Sequence, residues 1–337
     1  MGGGSWNTSS YASAASARAA SGIDDFDYDK KVRSGRARGI HASLDPKTVA
    51  GPASPLAGQV VRESRDSADH PDSLPIAVFF DVTGSMRGIP VILQKKLATL
   101  MDVVIAKAGV AHPQILVGAI GDSTCDQYPF QAGQFESDNR FDEALRSIIL
   151  EGGGGGQMME SYGLAYRFAA EHTATDAWDK RGKKGYFFTM GDEAFWPTVT
   201  AADVEKIFGV AAHGDETVEE LVRRAQERWE VFHLCSMDGS YPNEDRIHQK
   251  WQKLLGERYV KVADSSLICE IIAGLVHMLE TASDVDTVVA DIGASGAAGR
   301  AVKNALVPVA AARAPAHVGK GTLPKRIGAS GGGITRI

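Results

Sequence analysis

Asp81, Thr83 and Ser85 are spaced two apart in Asp81-Val82-Thr83-Gly84-Ser85-Met86. They follow the apolar run Pro75-Ile76-Ala77-Val78-Phe79-Phe80, which reads as a central parallel strand buried on both faces. Where a strand turns sharply into a loop, positions i, i+2 and i+4 can wrap around one point. Gly84 permits the tight turn, Asp81 brings charge, and Thr83 and Ser85 bring neutral oxygens. Two further polar segments fall at comparable places. The glycine run 152–156 leads into Gln157, Glu160 and Ser161, and Asp192 follows an apolar strand that ends at Met190. Open α/β sheets bind ligands beyond the carboxyl ends of their strands, so these segments belong together. They supply carboxylates and hydroxyls but no imidazole or thiolate. That set suits a hard cation, Mg²⁺, Mn²⁺ or Ca²⁺, rather than zinc or copper.

The elements that must position these residues alternate along the chain. A helix over residues 88–108 follows the Asp81 segment, with Leu97, Leu100, Met101, Val104, Ile105 and Ala108 on one face. A second apolar strand covers 114–120, and residues 128–135 alternate loosely as an edge strand running back. Helices are expected over 140–150 and 159–171, a strand over 184–190, and helices near 201–209 and 215–228. A strand over 229–236, a helix over 243–255, a last strand over 259–262 and a helix over 265–280 complete the pattern. The fold class is therefore α/β: Rossmann-like and doubly wound, with a mainly parallel six-stranded sheet and one antiparallel edge strand. Residues 1–72 have few large apolar residues and read as a partly ordered arm, with a short helix at 11–20. The arm is either solvated or docks on a partner or on the body of the domain. Residues 283–337 read as a flexible tail, with a short helix near 297–307.

Composition narrows the function classes. The 337 residues are 44% apolar and 23% charged, with a formal net charge of −6, so nothing favours nucleic acid or a membrane surface. Cys125, Cys235 and Cys269 form no CxxC and no zinc-spaced pair, which fits reduced thiols. Cys235 lies in an apolar run and reads as a buried small residue. No apolar stretch approaches the roughly 18 residues of a membrane span. The N-terminus lacks a signal-peptide pattern, and Trp6 stands where a myristoylation motif needs Ser or Thr. The expected location is cytoplasmic. The glycine run is no phosphate-binding P-loop, because no Gly-Lys-Ser/Thr follows it. His112, His213 and His233 show no partner pattern.

Asp81, Thr83 and Ser85 resemble the Asp-x-Ser-x-Ser signature of von Willebrand factor A domains, the metal-ion-dependent adhesion site. The resemblance covers residues 73–282 and extends to the order of strands, glycine-rich loop and Asp192. In that family a Thr from the middle loop and an Asp after the fourth strand complete the site, and Asp192 matches the latter. Two departures mark a variant: Thr83 replaces the second Ser, and the middle loop contains no Thr. Glu160 takes that place by position, followed by Gln157 or Ser161. Asp122 follows the second strand and reaches the same edge, unless it is a turn residue. The metal set implied by the resemblance is thus Asp81, Thr83, Ser85, Glu160 and Asp192, with Gln157, Ser161 and Asp122 in reserve. The glycine-rich variant is similar to intracellular bacterial members of the family.

Three functions compete. The resemblance implies a protein-binding module whose metal, Mg²⁺ first, bridges to an Asp or Glu of a partner. Members of this kind work as adaptors beside AAA+ ATPases of the MoxR or chelatase type. The alternative is a Mg²⁺-dependent phosphatase of the haloacid-dehalogenase class, whose first motif is Asp-x-Asp-x-Thr/Val. Thr83 stands where its second Asp, the general acid, would be. The third is a structural protein whose metal only orders the loops.

Overall fold

The computed structural model describes residues 4–313, apart from 24–25, 87 and 98–99. The main sheet has six strands: β1 (Leu74–Asp81), β2 (Pro113–Ile120), β3 (Phe130–Ala132), β4 (Gly185–Gly191), β5 (Trp229–Ser236) and β6 (Tyr259–Val262). Their spatial order is β3-β2-β1-β4-β5-β6, parallel throughout except for β3 at the edge. This is the doubly wound architecture expected from the sequence. The order reverses between β1 and β4, and such a switch point leaves a crevice at the carboxyl ends of the two strands.

Helices cover both faces. In chain order they are α1 (Thr8–Ala20), α2 (Asp27–Arg33), α3 (Ile89–Leu97), α4 (Leu100–Lys107), α5 (Arg140–Arg146), α6 (Tyr162–Glu171), α7 (Asp176–Arg181), α8 (Ala201–Phe208), α9 (Val218–Arg228), α10 (Asp245–Leu255), α11 (Ile268–Thr281), α12 (Val285–Asp291) and α13 (Gly296–Arg313). The period-2 alternation of β1 divides its side chains between two cores. Ile76, Val78 and Phe80 join Met101 and Val104 of α4 and Ile272 and Leu275 of α11. Ala77 and Phe79 join Leu164 and Phe168 of α6 and Leu221 of α9. Burial on both sides explains why β1 reads as a continuous apolar run rather than an alternating one.

Several expected elements are adjusted. Residues 88–108 are helical as expected on both sides of 98–99, over Ile89–Leu97 and Leu100–Lys107. The helix expected over 140–150 ends at Arg146. Met159 and Glu160 do not begin a helix. They pair in parallel with Ala194 and Phe195 as a short strand, and α6 starts at Tyr162. Extended backbone at Glu160 sets the direction of a residue that matters below. Residues 285–313, expected as tail with a short helix near 297–307, form α12 and the longer α13. Val302, Ala305, Leu306 and Val309 repeat at helical spacing and are buried in the same core as α11. Small side chains concealed this face in the sequence. Residues 314–337 lie outside the described residues.

The N-terminal segment lies along the body. The Trp6 indole donates to Asp102 at 2.7 Å, and Arg18 pairs with Asp142 at 2.9 Å. The Leu44 carbonyl accepts the Ala132 N–H at 2.9 Å, so the segment covers edge strand β3. The buried Arg62 fastens it, donating to the carbonyls of Gly133 at 3.0 Å, Thr48 at 2.8 Å, Ala132 at 3.2 Å and Asp45 at 2.5 Å. These polar groups act together with Phe26 and Leu44, which enter the core, so the arm's low apolar content understated its order. Replacing Arg62 by Met strands buried carbonyls at a cost of about 1–3 kcal/mol each if unrelieved. The expected outcome for Arg62→Met is a loss of about 3 kcal/mol in urea-unfolding free energy, with Arg62→Lys recovering only part of it.

Candidate metal centre

The centre is built on the turn that ends β1. Asp81 is fully buried, a position that demands hydrogen bonds for a carboxylate. Its Oδ1 accepts the Thr83 N–H at 2.8 Å and the Thr83 hydroxyl at 2.6 Å, and its Oδ2 accepts the Tyr162 hydroxyl at 3.1 Å. Across the switch point, Asp192 follows β4. Its Oδ1 accepts the Ser85 hydroxyl at 2.8 Å and its Oδ2 the Ser240 N–H at 2.5 Å. Ser240 returns its own hydroxyl to the Ser85 carbonyl at 2.6 Å.

A proton count follows from these bonds. Each hydroxyl has one proton and two lone pairs. Thr83 spends its proton on Asp81 and Ser85 spends its own on Asp192. The two hydroxyl oxygens nevertheless lie 3.2 Å apart. Each hydroxyl thus lies within hydrogen-bonding distance of a carboxylate and of the other hydroxyl, and when both protons go to the carboxylates lone pairs face one another in that gap. Adjacent oxygens bound at right angles to one hard cation at about 2.1–2.4 Å are about 3.0–3.4 Å apart, so the pair suits such an ion.

The glycine-rich loop closes over this turn. The Gly84 N–H donates to the Gly153 carbonyl at 2.6 Å, and the Gly152 N–H donates to the Val82 carbonyl at 3.0 Å. A Cβ on Gly84 would lie 2.9 Å from the Gly153 oxygen, so only glycine admits this approach. At the other end of the loop Met158 has φ 56°, a left-handed conformation rare for a bulky side chain. The turn delivers Glu160, whose pairing with Phe195 holds it in the same crevice.

Glu160 is buried, and its Oε2 has no hydrogen-bond partner among the described residues. Burial pushes its carboxyl far above the usual range, and neighbouring Asp81, Glu193, Asp122 and Asp126 push it further. Burial likewise raises Asp81, against the opposing hydrogen bonds from Thr83 and with Asp192 and Glu193 adding to the rise. Asp192 is raised by burial, and Glu193 is raised to about 7 by burial and the adjacent Asp192. Like charges held this closely call for protons or a cation. Among the described residues, no three His, Cys, Asp or Glu are arranged as ligands of one ion. The hydroxyl oxygens of Thr83 and Ser85 are therefore central to any ion held here. The orphaned Glu160 oxygen and the all-oxygen donor set fit a hard cation.

The other expected members are placed differently. Asp122 is tied down by the Thr124 N–H at 2.9 Å, the Thr124 hydroxyl at 2.8 Å and the Trp196 indole at 3.0 Å. It contributes charge beside Glu160 rather than a free oxygen. The Ser161 hydroxyl accepts from the Ser123 N–H at 2.9 Å and donates to the Ser123 hydroxyl at 3.1 Å, which binds the β2 loop. Gln157 is exposed, with its side-chain oxygen against Gly155. Sequence reasoning missed Glu193 and Tyr162. Glu193 adjoins Asp192 and could have been noticed on that ground. Tyr162 sits in an apolar helix pattern that gives no hint of its hydroxyl. His233 is fully buried, its ring stacked 3.6 Å from Trp251, and its Nδ1 meets the Thr189 hydroxyl at 2.9 Å.

No family model and no curated protein sequence matches the chain. Solved structures do resemble it. The pilus adhesin SpaC from Lactobacillus rhamnosus GG, in its open conformation, matches with a TM-score of 0.45 and 12% identity over 65% of this chain and 31% of that one. Proximal thread matrix protein 1 from the mussel byssus, with a zinc-occupied MIDAS motif, matches with a TM-score of 0.41 and 12% identity over 62% of this chain and 48% of that one. The chain thus spans less than half the length of either.

The raised carboxyls carry a sign. Glu193, raised to about 7, keeps its proton over a range in which an unfolded glutamate, near 4, has lost it, and Asp81, Glu160 and Asp192 are shifted in the same direction. Their contribution to stability is full below about pH 4 and is lost as pH rises toward the folded values, near 7 for Glu193. In chelator, the melting temperature is expected to fall between pH 5 and 8, and Mg²⁺ should remove most of that fall. Calorimetric titration in buffers of different ionisation enthalpy should show proton release, roughly one per ion bound. Ion binding with no proton release would contradict this electrostatic picture.

Proposed function

We propose that the chain is a divalent-cation-dependent protein-recognition module of the von Willebrand factor A type. The observation that carries this reading is the pair of hydroxyl oxygens, Thr83 and Ser85, 3.2 Å apart and each within hydrogen-bonding distance of a carboxylate. Thr83 and Ser85 would hold the ion, with Asp192 and Glu160 beside them and Asp81 fixing Thr83 from behind. When bound, the ion supplies an electrophilic centre at the mouth of the crevice, where a partner oxygen ligand can complete its coordination. Gly84 is exposed and Ser85 half-buried, so this point faces outward. The resemblance supports Mg²⁺ as the ion, an Asp or Glu of the partner as the outside ligand, and an adaptor role beside a MoxR-type AAA+ ATPase.

The test is affinity capture from the native host in Mg²⁺ and in chelator, with wild type and Asp81→Ala side by side. The expected outcome is a set of partners retained only by wild type in Mg²⁺, with ion affinity of the variant reduced roughly 100-fold. Identical partner lists under all four conditions would end the metal-bridge reading. Turnover of generic phosphate esters that needs Mg²⁺ and disappears in Asp81→Asn would favour the phosphatase instead. A chelator-induced fall in melting temperature with partner binding intact would favour a purely structural ion.

A further inference from the structure

Tyr162 touches the centre from behind, and no part of the proposed function uses it. Its side chain is fully buried. Its ring is wedged edge-on against His233, with centroids 5.1 Å apart, and against Trp251, also at 5.1 Å. Trp251 is itself fixed through its indole N–H to the Glu193 carbonyl at 2.8 Å. The phenol therefore has one direction available, past the end of β4. Gly191 makes room for it, since a Cβ there would lie 1.7 Å from the Tyr162 hydroxyl oxygen. The hydroxyl ends on Asp81 Oδ2, the oxygen that Thr83 leaves unused.

Asp81 is thus pinned at three points, and its carboxylate plane is set. A pinned carboxylate can orient the Thr83 hydroxyl, but it cannot swing to give both oxygens to an ion. That distinction separates ions by size. Ca²⁺ takes six to eight oxygens in flexible geometry and commonly uses carboxylates bidentately, whereas Mg²⁺ needs few protein ligands and keeps its waters. We propose that Tyr162 is a positioning residue that determines ion specificity, favouring Mg²⁺ over Ca²⁺ by holding Asp81 to its role behind Thr83. This rests on the reading of the Asp81 turn as a cation site.

The experiment is competition titration of the full chain with Mg²⁺ and Ca²⁺, comparing wild type, Tyr162→Phe and Tyr166→Phe. Tyr166 is an equally buried neighbour on α6 whose hydroxyl meets Thr189 at 2.9 Å rather than Asp81, and it serves as the control. Tyr162→Phe is expected to shift the ratio of Ca²⁺ to Mg²⁺ affinity upward by roughly tenfold, the scale on which partners of metal ligands act. Tyr166→Phe should leave the ratio within twofold of wild type. A role in packing alone would lower both affinities by the same factor, and an unchanged ratio in Tyr162→Phe overturns the proposal. If that variant does not fold, the tyrosine ultraviolet difference spectrum of the wild-type protein decides. It should stay flat on Mg²⁺ addition and change on Ca²⁺ addition, and identical responses to the two ions count against the inference. Absence of any ion binding by wild type would instead refute the cation-site reading itself.

Discussion

Asp81 has no access to solvent, and its position follows from the sheet rather than from local preference. A strand buried on both faces cannot end in a charged residue unless hydrogen bonds replace the water that was lost. Three donors do so here, and each constrains a different part of the molecule. The Thr83 amide shapes the turn, the Thr83 hydroxyl directs its oxygen lone pairs outward, and Tyr162 ties α6 to β1. The glycine-rich loop, the short strand at Glu160 and the loop carrying Ser240 are all arranged around that turn. Removing the carboxylate would release all of them together, because partners in one hydrogen-bond network do not act independently.

The switch between β1 and β4 supplies the geometry. Neighbouring parallel strands whose connections leave in opposite directions open a crevice, and here Asp81 and Asp192 stand at its two sides. The groups between them are neutral, the Ser85 hydroxyl on Asp192 and the Thr83 hydroxyl on Asp81, with their oxygens side by side at 3.2 Å. Hydroxyls placed in this way keep two carboxylates close without direct carboxylate contact. Glu160 and Glu193 add charge that the hydroxyls do not neutralise, which explains why the whole cluster favours protons or a cation.

Much of the fold was legible because strong signals agreed. Continuous apolar runs marked β1, β2, β4 and β5, and Asp81, Thr83, Ser85 and Asp192 stood at strand ends where such sheets bind ligands. The places where sequence reading went astray have physical causes. Glu160 looked helical because Met159 to Glu171 has the right spacing, yet pairing with Ala194 and Phe195 overrode that preference. Helix α13 was expected only as a short helix near 297–307 within a tail; it runs over Gly296–Arg313, and its face of Val302, Ala305, Leu306 and Val309 is apparent only against α11. Docking of the arm on the body was one of two open readings, and it is settled by contacts that composition does not display: the polar atoms of Arg62 and Trp6, and the scattered Phe26 and Leu44 that enter the core. Tyr162 was invisible as a site residue because ring and hydroxyl serve different ends, the ring filling the core and the oxygen reaching Asp81.

The glycine run 152–156 is exposed along its length and carries no side chains beyond hydrogen. It is not loose at its start, since Asp29 of α2 accepts the Leu150 N–H at 3.2 Å and Arg33 donates to the Leu150 carbonyl. Bare peptide groups therefore form one lip of the crevice, anchored from the arm. Such a lip offers little apolar grip and no charge, so discrimination there falls to contour and to main-chain polarity. An approaching molecule would meet this chain first as a backbone, and change in the side chains elsewhere on the rim could retarget the crevice without disturbing the lip.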